Sequence, residues 1–191
     1  LFDAIQAGDT IEGGDGTDLL QFYSGSSIAN TASKIEQANY FADGSTGNIG
    51  PIDFDFLPDV TASTVRNISA NAGVNAAEAP ITVTLLDMTA AQAAGITVQH
   101  STTGNSQIQN TTVEAAVKAN TASDTIGITI AEGTNVDPRF NFTLDTVVAN
   151  TATSTTASAS TFENVTITDS DSESNSVELQ NFAQHTGTIT L

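Results

Sequence analysis

The chain has 191 residues and a formal net charge of -18, because 22 acidic side chains face only four Lys and Arg. That balance excludes a nucleic-acid partner, since backbone affinity needs clustered cations to release counterions, and it makes an anionic membrane surface unattractive. With no cysteine in the sequence, disulfides, thiol catalysis and thiolate zinc sites are excluded too.

The length allows one larger domain or two small ones around a real core. An acidic chain with so few cations repels itself unless salt screens it or divalent ions neutralise its carboxylates. Carboxylate and carbonyl oxygens are hard ligands, which makes Ca2+ the natural candidate beside a plain solvated acidic surface. The four cations, Lys34, Arg66, Lys118 and Arg139, are far apart in sequence and suggest no basic patch.

Near the start, Gly13-Gly14-Asp15-Gly16-Thr17-Asp18-Leu19-Leu20-Gln21 fits the nonapeptide pattern G-G-x-G-x-D-x-U-x at every defined position. Glycines let the chain turn through positive φ and expose carbonyl oxygens to a cation. Asp18 adds a carboxylate as the turn ends, and Leu20 is expected to point inward. The preceding nine residues share the register, with Asp9 at the Asp18 position and Ile11 at the Leu20 position. The following nonapeptide keeps Gly25 in register with Gly16 but has Ser27 in place of the aspartate. Asp9, Gly13, Asp15 and Asp18 are therefore candidate calcium ligands.

Further along, Asp53, Asp55 and Asp59 occupy an alternating, strand-like run with Phe54 and Phe56, in which the two aspartates before Leu57 share one face. Alternation of apolar residues with Thr or Asn predicts strands at 81–85, 96–98, 126–130, 140–144, 165–168 and 188–191. Ala-rich segments predict short helices at Met88–Ala94 and Thr112–Ala119. The low-complexity stretch Ala149–Thr161 reads as an exposed loop or linker. Asn67, Asn110, Asn141 and Asn164 head sequons, matches that arise by chance in so Thr-rich a chain. Asp169, Asp171 and Glu173 form an acidic turn that opens like an EF-hand loop. Ser174 replaces the required glycine and Gln180 the bidentate Glu. The turn is not an EF-hand; it reads as either a simpler calcium turn or a solvated acidic one.

The nonapeptide and the Thr- and Asn-rich strands resemble the repeats-in-toxin (RTX) proteins, in particular bacterial surface-layer proteins and related adhesins. Phe162-Glu163-Asn164-Val165 and Leu179-Gln180-Asn181-Phe182 have the cadence of their repetitive strands, and Ile35-Glu36-Gln37-Ala38 reads as a worn copy of the first. The specific motif covers only about the first 20 residues. In that family successive nonapeptides alternate between two sides of a β-roll, and calcium sits between turns stacked on one side. The resemblance thus implies a partner for Asp18 two repeats away, where Glu36 stands without accompanying glycines. It also implies type I export, calcium-triggered folding outside the cell and assembly into a coat.

Catalysis is not expected. His100 and His185 are the only histidines, no nucleophile elbow is present, and Lys and Arg are too scarce to handle acidic sugars. No apolar run is long enough to span a bilayer or act as a signal peptide, so any export signal is expected outside this segment. The expected fold is all-β: a short RTX-like β-roll over 1–45, a β-rich domain over 46–148, the 149–161 linker and a β segment over 162–191. β-Solenoid or sandwich-like layers with one or two short helices would make up the body. The expected role is a self-assembling, calcium-dependent subunit of an extracellular bacterial surface layer or sheath, forming a homo-oligomer or lattice. The alternative is an adhesin module that binds glycans or a cell-surface polysaccharide.

Overall fold

A computed structural model describes residues 10–26, 28, 30–43, 48–68, 80–100, 107–119, 121, 123–131, 138–146, 162–170, 175–181 and 187–191. In chain order the elements are β1 (Ile11–Glu12), β2 (Leu19–Tyr23), β3 (Ala32–Ser33), β4 (Gln37–Ala42), β5 (Ile49–Asp53), a 3-10 turn (Phe54–Phe56), β6 (Ala62–Asn67) and β7 (Ile81–Met88). They continue with α1 (Ala90–Ala93), β8 (Ile96–His100), β9 (Gln107–Val117), β10 (Thr125–Ala131), β11 (Pro138–Thr146), β12 (Asn164–Asp169), β13 (Ser176–Gln180) and β14 (Ile189–Thr190).

The strands sort by parity. Even-numbered strands form a seven-stranded sheet in the order β14-β12-β10-β8-β6-β4-β2, and odd-numbered strands from β5 onward form a five-stranded sheet in the order β13-β11-β9-β7-β5. Strands β1 and β3 pair separately, and every ladder is parallel, as between β4 and β6 or β9 and β11. A chain that alternates between two parallel sheets and always pairs with the strand two places on is a β-solenoid. The protein is accordingly all-β, with one short α-helix among the described residues. The seven-stranded sheet runs without a break from β2 to β14, so strands on either side of positions 45 and 161 share it.

Period-two alternation explains the layering. Along β10, Ile126, Ile128 and Ile130 point inward and are buried, whereas Thr125, Gly127, Thr129 and Ala131 face out. Across strands, inward residues stack in register: Ile96, Ile128 and Ile167 form one such row. The facing sheet contributes Val83, Val113 and Leu144, all fully buried. Burying one such side chain is worth roughly 1.5–3 kcal/mol, and the stacked rows repeat that gain at each rung. Phe22 and Tyr40 continue the core at the N-terminal end, their rings stacked with centroids 5.3 Å apart.

All six predicted alternating runs fall on strands. The expected helix at Met88–Ala94 shrinks to Ala90–Ala93, because Met88 belongs to β7 and Thr89 caps the helix, exchanging bonds with Gln92 in a capping box. The expected helix at Thr112–Ala119 is instead strand β9. Thr111, Val113, Ala115 and Val117 alternate inward there, and pairing with β7 and β11 overrides the helical preference of alanine. The aspartate run is not a strand either. Asp53 ends β5 and its carboxylate accepts the Asp55 N–H at 2.8 Å, which tightens the chain into the 3-10 turn. The segment Ala149–Thr161 lies outside the described residues.

Candidate functional site

The nonapeptide forms a corner between β1 and β2. Gly14 and Gly16 have φ of 101° and 121°, a conformation that favours glycine. Gly13 is required for another reason: its N–H donates to the Ser33 carbonyl, and a Cβ there would fall 2.0 Å from the Lys34 carbonyl oxygen and 2.7 Å from Asp18 Cβ. The next turn of the solenoid is therefore in direct contact with this one.

Asp18 stands at the end of the corner. Its N–H donates to Glu36 Oε2 at 2.8 Å, and its carbonyl accepts the Gln37 N–H at 3.1 Å. Its carboxylate Oδ2 is buried without a hydrogen-bond partner. Asp15 is exposed in the turn. Lys34, itself at φ 53°, sends its ammonium to Glu12 rather than to Asp18. That contact holds the Glu12 carboxyl below its usual range and the Lys34 ammonium above its own.

A second corner repeats the arrangement further along the seven-stranded sheet, at β10. Asp124 directly precedes β10 as Asp18 precedes β2, and its N–H donates to Glu163 Oε2 at 2.8 Å. Its carbonyl accepts the N–H groups of Glu163 and Asn164. Here the carboxylate is satisfied internally, accepting the Thr121 N–H and the Thr121 hydroxyl. At Asp18 the corresponding upstream residue is Asp15, which brings a second negative charge in place of a hydroxyl donor. The two corners share the Asp N–H to Glu carboxylate bond and differ at the Asp carboxylate: one has protein donors, and the other has a buried oxygen with none.

The remaining candidates are scattered. The Asp169 carboxylate is held by Asn175 Nδ2 at 3.0 Å. Asp9, Asp171 and Glu173 lie outside the described residues. Among the described residues, no three His, Cys, Asp or Glu side chains converge on one possible metal position. A cation at the Gly13–Asp18 corner would thus draw on Asp18 and on the carbonyls of the glycine turn. The buried Asp18 oxygen fits that role. Among the described residues, no helix is long and apolar enough to cross a membrane.

Two features escaped sequence reasoning. The first is a cleft of about 320 Å³ where the 3-10 turn meets α1, with Asp55, Asp87 and Lys118 in its lining. The Lys118 ammonium pairs with Asp55, and Asp87 sits at φ 57° on the bulge between β7 and β9. Burial raises the Asp87 carboxyl, and the charges of Asp53 and Asp55 add to the rise while Lys118 opposes it. The second feature is the division of charge between the sheets. Outward residues of the five-stranded sheet include Glu114, Asp145 and Glu178, whereas a row of Gln21, Asn39, Thr64, Thr97, Thr129 and Thr168 crosses the seven-stranded sheet.

Among the sequons, Asn67 is fully buried, with its amide donating to the Asn110 carbonyl at 3.3 Å. Asn141 donates to Asn110 Oδ1 at 3.0 Å. These asparagines knit strands together.

Comparison with protein-family models, with curated proteins and with solved structures finds no match. The class defined by the architecture is a two-sheet parallel β-solenoid.

Proposed function

We propose that this chain is a structural subunit of an extracellular bacterial surface layer or sheath, of the RTX-like kind, ordered by Ca2+ and self-assembling. The observation that carries the reading is the buried, unpartnered Asp18 oxygen in a glycine turn, set against its satisfied counterpart at Asp124. Calcium accepts six to eight oxygen ligands in flexible geometry, and a turn of carbonyls with one oriented carboxylate suits it. The ion would supply positive charge to a turn that carries both Asp15 and Asp18. A net charge of -18 supports gating of assembly by such neutralisation.

The test is thermal unfolding followed by circular dichroism, with calcium and with chelator, on the native chain and on Asp18→Ala and Asp169→Ala. Calcium is expected to raise the melting temperature of the native chain and of Asp169→Ala, whose carboxylate is already held by Asn175, and to lose its effect in Asp18→Ala. Equal melting with and without calcium, or equal losses in both variants, would refute the reading. Light scattering at matched ionic strength completes the test: magnesium should drive assembly poorly, since it demands a tight octahedral shell and sheds water reluctantly.

A further inference from the structure

The outward rows of the seven-stranded sheet set by the register carry no carboxylate; Asp169, exposed at the end of β12, and Asp43, directly after β4, lie beyond them. Register places Gln21, Asn39, Thr64, Thr97, Thr129 and Thr168 in one row, and Tyr23, Phe41, Arg66 and Gln99 in the next. Arg66 is the only charge in these rows. Its guanidinium lies over the Phe41 ring at 5.5 Å, Phe41 stacks on Tyr23 at 5.0 Å, and Arg66 Nε is buried without a hydrogen-bond partner. The opposite face of the solenoid is built otherwise. Thr84, Glu114, Asp145 and Gln180 form one outward row there, with Glu178 beside Thr143 in the adjacent one.

We infer that the outer face of the seven-stranded sheet is the surface through which a second copy of this chain docks. The proposal rests on the self-assembling reading above and gives it a location. Two bodies of charge -18 repel one another, so they meet best where carboxylates are missing. Aromatic residues and Arg with few Lys, Glu or Asp are what distinguishes an interface core from ordinary surface, and Tyr23, Phe41 and Arg66 match that signature. Size suffices as well. Seven strands at about 4.8 Å spacing and about 3.3 Å per residue cover roughly 500 Å² per copy, or about 1,000 Å² for the pair, which reaches the threshold for a specific interface. The same patch on both copies makes the contact isologous and closed by a two-fold axis, with the two sheets packed face to face. The acidic five-stranded sheets then point away from the contact, free to meet cations or further copies.

Sedimentation velocity in calcium decides the matter, on the native chain, Thr97→Glu, Thr129→Glu and Thr143→Glu. Thr97 and Thr129 lie centrally on the proposed face, and Thr143 is outward on the other sheet. A charge facing its own symmetry mate should weaken association by on the order of ten-fold or more. The native chain and Thr143→Glu are expected to associate equally, and both face variants to sediment as monomers with unchanged circular dichroism and melting temperature. If the native chain is monomeric, the self-assembling reading fails and this inference with it. Association of both face variants as strong as the native chain's overturns the inference alone. Equal dissociation of Thr143→Glu also overturns it, because general charge repulsion would then explain the effect. Retention of a monomer on an immobilised neutral polysaccharide, lost in Thr129→Glu, would assign the face to a glycan instead.

Discussion

Asp18 and Glu36 stand 18 residues apart and are joined across adjacent turns of the solenoid, the N–H of the first donating to the carboxylate of the second at 2.8 Å. Asp124 and Glu163 repeat the bond at a separation of 39 residues. Each Glu fixes the height of one rung on the next by accepting a backbone donor that the sheet ladder leaves over. An orphaned buried donor costs about 1–3 kcal/mol. Glu163→Ala should therefore lower unfolding stability by that amount, measured by urea titration, while Glu163→Gln keeps an acceptor and should lose well under half as much. Equal losses in the two variants would show that the charge, and not the acceptor, matters there.

Close rung-to-rung contact makes a second prediction. A Cβ on Gly95 would lie 2.1 Å from the Thr61 carbonyl oxygen, whereas one on Gly14 would meet nothing within 4 Å. Overpacking typically costs about 1–3 kcal/mol, and the Thr61 backbone has little room to yield, so Gly95→Ala should sit at the upper end of that range. Gly14→Ala should cost about 1 kcal/mol, from its positive φ alone. Chemical denaturation of both variants tests the order; a Gly14→Ala loss equal to or larger than that of Gly95→Ala would contradict the packing.

Asp87 yields a pH dependence. Its folded-state pKa is raised, by burial first and by Asp53 and Asp55 next, so the folded chain holds this proton more tightly than the unfolded one. The associated stability is present below the ordinary carboxyl range and is lost as pH rises through the raised value. Asp87→Asn should then be more stable than the native chain at neutral pH, by about 0.5 kcal/mol after solvent screening. The gain should shrink on acidification below the ordinary carboxyl range. Asparagine tolerates the left-handed backbone at φ 57° as aspartate does, so the residual difference there should be small. Melting curves from acid to neutral pH measure both parts, and a gain that grows on acidification would reverse the sign argued here.

Much of this fold is written in short runs. Ile126–Ile130 and Val165–Thr168 declare strands because alternation is a local property. Pairing is not local: nothing in those runs says that Thr125 lies beside Asn164, since the connections between even strands differ widely in length. Thr112–Ala119 read as helix because alanine favours helices where no neighbour intervenes, and in this case β7 and β11 intervene. The Asp18–Glu36 relation was legible because the nonapeptide supplies a ruler of nine. Asp124 and Glu163 have no ruler between them; the likeness of Phe162-Glu163-Asn164 to Ile35-Glu36-Gln37 was the available signal. The Asp87 cleft was illegible, since it depends on a bulge that brings residues from three elements together. The carboxylate-free rows needed the register of six strands before they could be seen.

Pairing of every strand with the strand two places away also has a mechanical consequence. Each rung is bonded chiefly to the rung before and the rung after, so among the described residues no distant clamp locks the ends together. Tension applied along the stack would load the terminal ladders first, and both β14 on β12 and β1 on β3 are joined by two-residue registers. The chain should therefore yield from its ends by peeling, one rung after another, and re-form by zipping back onto whatever rungs remain as a template.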